Sequence, residues 1–221
     1  MNITYFGHSC FLLDGGNTSI IIDPFYDAAK FSPKPDYVVA THGHHDHFGN
    51  AAELCKNGAK FIGIFELCNY IRTLGAVDAH PMNIGGFADF GNFKLKFTDA
   101  THSSSIDGIH NVGRATGCII EIGDKTIYHD GDTGLFGDMK LLGERHNIDI
   151  AILPIGGNFT MDIDDAVYAA ELLRTKIAIP MHYNTFPVIG ANPQEFINKL
   201  PSGIKGIAFA IGESRELAKL G

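Results

Sequence analysis

The sequence predicts a four-layer α/β fold, an αββα sandwich of two mixed sheets with helices on the outer faces. Three observations point there. Hairpin-forming strands open each half of the chain and strand–helix alternation follows, the order that covers one face of a mixed sheet. Glycine is abundant, 26 of 221 residues, about 12% against a usual 7%, and falls mostly between short apolar runs. Hydrophobic residues make up 45% and charged residues 19%, enough to fill a large core. One domain over residues 1–221 is expected, with no linker and no internal repeat.

Residues 2–6, 10–13 and 19–23 read as strands, and Asp14-Gly15-Gly16-Asn17 supplies the positive-φ turn between the last two. The apolar run 37–40 reads as a buried strand. Asn50 is placed as the cap of a helix that runs to Lys56 and stops at Gly58. Residues 60–64 form a strand, and 65–73 a helix ended by Gly75. Phe93-Lys94-Leu95-Lys96-Phe97 alternates, burying the apolar three and leaving both lysines to water. Residues 116–122 and 125–129 pair across Gly123-Asp124, and 148–153 is an apolar strand. Asp162 suits the N-cap of a helix to Leu173, with Asp164 and Asp165 in its first turn. Residues 176–181 are strand, 193–200 helix, and 205–211 a last strand.

The net charge of −8 argues against nucleic acid, which needs a basic face. No stretch approaches the ~20 apolar residues of a membrane span, and no basic leader opens the chain, so no membrane and a cytoplasmic location are expected. Cys10, Cys55, Cys68 and Cys118 lack C-x-x-C spacing and read as buried free thiols.

The chemistry concentrates in Thr41-His42-Gly43-His44-His45-Asp46-His47, where His42, His44, Asp46 and His47 are strong metal ligands within six residues. Three histidines in fixed slots arise by chance with a probability on the order of 10⁻⁴ per starting position. Imidazole and carboxylate suit Zn, Mn or Fe. His102, Asp132 and His182 each follow a predicted strand, at the sheet rim where active sites gather.

With these residues the chain resembles the metallo-β-lactamase superfamily of metal-dependent hydrolases. The likeness is carried by His42-Gly43-His44-His45-Asp46-His47, His102, Gly131-Asp132-Thr133 and Met181-His182-Tyr183, in that order. Phe6-Gly7-His8-Ser9 and Ile22-Asp23-Pro24-Phe25 look like the opening of a branch that includes L-ascorbate-6-phosphate lactonase. The resemblance implies two divalent ions, zinc first and manganese or iron as alternatives. His42, His44 and His102 would hold one, Asp46, His47 and His182 the other, and Asp132 would bridge them. A bridging hydroxide would then attack a small ester, a lactone or a phosphorylated metabolite. Asp46 would both bind metal and orient the hydroxide.

His8 would protonate the leaving group or support a ligand by hydrogen bonding, the two roles being equally open. Asp23 is expected to orient ligands rather than bind metal. His129 and Asp130 are given supporting or surface roles, His45 faces away, and His80, His110 and His146 are ordinary core or surface histidines. Residues 103–113 read as a mobile loop over the metals, with Arg114 beyond it as a rim charge or an anion contact. Ile155-Gly156-Gly157-Asn158 is a tight turn or a source of N–H donors. A small-molecule substrate, anionic ones included, is the expected partner, and a homo-oligomer is allowed. The alternatives are a phosphodiesterase or nuclease, whose large relatives carry an added domain or basic arm that this chain lacks, and a redox or metal-sensing protein.

Overall fold

A computed structural model describes residues 1–108 and 110–219. The strands are β1 (Asn2–Gly7), β2 (Cys10–Asp14), β3 (Ser19–Ile22), β4 (Tyr37–Val39), β5 (Lys60–Ile64), β6 (Ala79–Met82), β7 (Ala88–Asp89) and β8 (Phe93–Asp99), then β9 (Ser105–Ile106), β10 (His110–Asn111), β11 (Thr116–Ile122), β12 (Lys125–His129), β13 (Ile150–Pro154), β14 (Ile177–Met181), β15 (Lys205–Gly206) and β16 (Ser214–Glu216). The helices are α1 (His45–Phe48), α2 (Ala51–Lys56), α3 (Phe65–Thr73), α4 (Met139–Arg145), α5 (Ile163–Leu172) and α6 (Pro193–Lys199).

Two seven-stranded sheets form, ordered β16-β1-β2-β3-β4-β5-β6 and β15-β14-β13-β12-β11-β8-β7. Each pairs antiparallel where hairpins were expected and parallel across longer connections, a loop between β3 and β4 and helices between β4 and β5 and along β12–β13–β14. Both are therefore mixed, as expected. Apolar residues that alternate inward from both sheets, Ile3, Phe11 and Leu13 facing Phe97, Ile120 and Ile152, share one core between them. Two further apolar layers lie on the outer faces. One joins β4 and β5 to α2 and α3, the other joins β13 and β14 to α4, α5 and α6.

Local chemistry explains most boundaries. Asp162 accepts from the Asp165 amide and caps α5, and Asn192 caps α6 ahead of Pro193. Asn50 precedes α2, but its side chain makes no cap bond. Its Nδ2 instead donates to the carbonyls of Pro24 and Tyr26, pinning the loop after β3. Lys96 is half-buried rather than free in water, because its amine lies over the Phe87 ring. The expected last strand, 205–211, pairs only at Lys205–Gly206. Beyond it Ile207 and Phe209 enter the inter-sheet core, and the chain crosses to pair β16 with β1. Among the described residues no helix is long and apolar enough to cross a membrane.

Candidate metal centre

The candidate ligands come together at the strand ends. His8 follows β1, Asp23 β3, His42 and His44 β4, His102 β8, Asp132 β12 and His182 β14, while Asp46 and His47 ride on α1. His8, Asp23 and His182 have φ of 54°, 47° and 54°, left-handed values that non-glycine residues hold only where surrounding structure imposes them. The His182 amide donates to the His8 carbonyl at 2.9 Å, which ties one sheet to the other at the site.

Two groups of ligand atoms result. His42, His44 and His102 form one, and His8, Asp46, His47 and His182 the other, while a further set of His42, His47 and Asp132 links them, the atoms of each set within 4.8 Å of one another. Asp132 touches both, with Oδ2 3.0 Å from His182 Nε2 and 3.6 Å from His102 Nε2, and Oδ1 3.1 Å from His47 Nε2. Asp46 Oδ2 lies 3.2 Å from His8 Nε2 and 3.9 Å from His182 Nε2.

These residues fit divalent cations. His44 Nδ1 faces two imidazole nitrogens, His42 Nε2 at 3.0 Å and His102 Nε2 at 3.3 Å, and can donate a proton to only one. Nitrogens about 2.1 Å from one tetrahedral ion would stand about 3.4 Å apart. His47 Nε2 and Asp132 Oδ1 are both buried without a hydrogen bond although they face each other, a costly arrangement unless a shared cation satisfies both. The site also calls for positive charge. Burial opposes a charge on His47, yet the Asp132 and Asp23 carboxylates outweigh it and hold its pKa well above the ordinary value. Burial likewise pushes Asp132 up, and His47 and His182 pull it well below the usual range. The His42 imidazole, buried and beside His47, is pushed well down and stays neutral, as a ligand must.

A second ring of contacts orients these atoms. Asp23, fully buried, accepts from the Thr41 amide and hydroxyl at 2.8 Å each and from His47 Nδ1 at 2.7 Å. Because the Thr41 hydroxyl donates to Asp23, it accepts from His42 Nδ1 at 3.0 Å, which turns the Nε2 lone pair into the site. His129 Nε2 donates to the Ser9 carbonyl at 2.9 Å while Nδ1 accepts from the Gly131 amide at 3.2 Å. Gly131, at φ 62°, is required there: a Cβ would sit 2.6 Å from the Thr116 carbonyl and 2.9 Å from Thr41 Cβ. Asp130, buried and beside Asp132, is pushed up to about 8 although the Tyr128 hydroxyl donates to it at 2.6 Å.

Other sequence expectations divide. Asp23 has the orienting position expected of it. His129 and Asp130 are fully buried, so of the two places considered for them the surface is excluded. His45 is exposed and packs on Phe25, facing away as expected. His80, His110 and His146 belong to none of the ligand groups found among the described residues. The 103–113 segment carries the β9–β10 pair rather than being plain loop, residue 109 lying outside the described residues. Arg114 pairs with Asp99 at 2.6 Å on the surface. The Gly157 amide is spent on the Met161 carbonyl at 2.9 Å, as in a tight turn. Sequence reasoning passed over Thr41 and Thr185, the latter 2.9 Å from His8 Nδ1 through its hydroxyl. The only signal was their closeness in sequence to His42 and His182.

Known proteins identify the fold and the family. The family model described as a beta-lactamase superfamily domain matches residues 2–182. A UPF0173 metal-dependent hydrolase of Carboxydothermus hydrogenoformans is 47% identical over 208 residues, 90% of this chain and 92% of that protein. One from Geobacillus thermodenitrificans is 46% identical over 228 residues, 98% and 100% of the two chains. The solved structure of Igni18, a metallo hydrolase from the archaeon Ignicoccus hospitalis, superposes with a TM-score of 0.89 at 39% identity, covering 97% of each chain. With a family model matched over most of its length, the expected fold and relatives similar over nearly their full length, the chain belongs to the metallo-β-lactamase superfamily as a UPF0173 metal-dependent hydrolase.

Proposed function

We propose that this hydrolase cleaves a small ester, lactone or phosphorylated metabolite and works with two divalent cations, zinc first and manganese or iron as alternatives. The observation that carries the reading is the reach of Asp132 to nitrogens of both groups, His102 on one side and His47 and His182 on the other. His42, His44 and His102 would hold one ion, Asp46, His47 and His182 the other, with Asp132 shared. Bound there, such ions supply Lewis-acid polarisation of the bond to be cleaved and lower the pKa of water.

The chain's own groups do the rest. Burial would raise the Asp46 carboxyl, but His8 and His47 outweigh it and keep it ionised, so Oδ2 stays an acceptor that can orient the attacking water. His8 is neutral, because burial lowers its pKa more than Asp46 raises it. With Nδ1 accepting from Thr185, the ring proton sits on Nε2, facing Asp46. That is the proton available to the departing oxygen. Asp23 and Thr41 fix the rings of His47 and His42, holding the reacting geometry without contact with substrate.

The test is turnover of a panel of lactones, thioesters and phosphodiesters by metal-loaded protein, beside Asp132→Ala and Asp132→Asn. Hydrolysis by the parent protein and loss in both variants, with melting temperatures still measurable, is the expected outcome. Full activity in either variant would refute it.

A further inference from the structure

A cavity of about 730 Å³ adjoins the centre, within the size range of small-molecule sites. Much of its wall is apolar, with Phe6, Phe25, Phe31, Phe209 and Ile211. Phe6 stacks edge-on against Phe31 with centroids 5.1 Å apart, so the aromatic lining is itself packed and preformed. Ile211 is 66% exposed, which leaves apolar surface for a ligand to cover.

His8 is the wall shared by the cavity and the ligand cluster. Its Nε2 faces Asp46 at 3.2 Å, and its ring meets Phe25 edge-on at 5.7 Å. Thr185, which holds the other ring nitrogen, also lines the cavity. One buried imidazole therefore separates the cavity from the candidate reacting groups.

The charges present do not select an anion. Lys30 and Asp27 both line the cavity and pair with each other at 3.1 Å. Arg114, the other cation considered for an anionic substrate, is engaged with Asp99 and is not part of the lining.

We infer that this cavity binds a large apolar portion of the substrate, an aryl ring or an alkyl chain of several carbons. The bond cleaved is then a carboxylic ester or lactone placed beside His8 and Asp46. This rests on the hydrolase reading above and narrows it to uncharged, apolar esters. In the reaction, water oxygen bonds to the carbonyl carbon, the carbon–oxygen ester bond breaks, and the departing oxygen takes a proton, giving acid and alcohol.

Two measurements test it. The first is kcat/KM of metal-loaded protein on ethyl, butyl, hexyl and octyl acetate and on ethyl butyrate, hexanoate and octanoate. We expect a rise of roughly fourfold per methylene in one series until the cavity is full, and loss of most of that rise in Ile211→Asp. The second needs no metal and no turnover. The chain has no tryptophan, so Phe31→Trp places a single reporter in the cavity. Octanamide should shift its emission saturably to the blue, and acetamide should not.

Hydrolysis with a flat chain-length profile overturns the cavity assignment and leaves the hydrolase reading standing. A tryptophan shift with no ester cleaved by metal-loaded protein ends the ester reading and the substrate assignment with it. Neither a shift nor a chain-length rise sinks the inference outright.

Discussion

His47 donates its Nδ1 proton to Asp23 Oδ2 at 2.7 Å, and the same oxygen accepts from the Thr41 hydroxyl at 2.8 Å. One buried carboxylate thereby fixes two imidazoles, His47 directly and His42 through Thr41. Asp23→Asn keeps the shape but cannot accept from all three donors. It should weaken metal binding about 10- to 100-fold, measured by competition with a chromophoric chelator. Parent-like affinity would show that Asp23 is only packing.

His8 lies between Asp46 and Thr185. If it delivers the leaving-group proton, His8→Ala should lower kcat by about 10²–10⁴ while metal content stays at the parent level. Thr185→Val should have a smaller effect, because the ring keeps its Asp46 contact. Loss of metal in His8→Ala would move His8 from proton donor to ligand.

All four cysteines are free and buried. Burial pushes the thiols up, Cys55 to about 12 and Cys68 to about 11, with Cys10 and Cys118 also raised. The thiolate is the reactive form, so at pH 8 about one molecule in a thousand or fewer is reactive at each site. Titration with a disulfide reagent should find less than one fast thiol per native chain and four after unfolding. A fast stoichiometric thiol in the native protein would contradict the burial described here.

Gly156 lies against the backbone behind a candidate ligand. A Cβ there would collide with the His182 carbonyl and come within 2.9 Å of Ile189 Cβ. Gly156→Ala should cost about 1–3 kcal/mol in urea unfolding. It should also reduce metal occupancy, because His182 is what must move. An unchanged midpoint would mean that the 182–189 loop yields without cost.

The parts legible in sequence were those governed by local rules. The ligand run after β4 stands out because five polar, chemically specialised residues crowd a strand end, and β8, β11 and β12 declare themselves by alternation and a Gly-Asp turn. What was not legible depends on partners distant in the chain. β16 is three residues that are strand only because β1 lies beside them. α4 contains Gly143, which weakens its local signal and is accommodated because its missing side chain lets the helix approach Leu172 and Leu173. Asn50 looks like a cap and acts as a loop anchor, since its backbone is not extended and its amide finds two carbonyls after β3. Thr41 gains its role only when β3 and β4 pair and bring Asp23 beside it, and Thr185 only when the two sheets bring it to His8.

Metal stoichiometry probes the two-ion arrangement most directly, by elemental analysis of protein loaded with zinc and freed of excess ion. The parent chain should carry two ions and His182→Ala fewer, the group built on His42, His44 and His102 retaining its own. A parent chain that never exceeds one ion at saturation would contradict the shared-carboxylate centre.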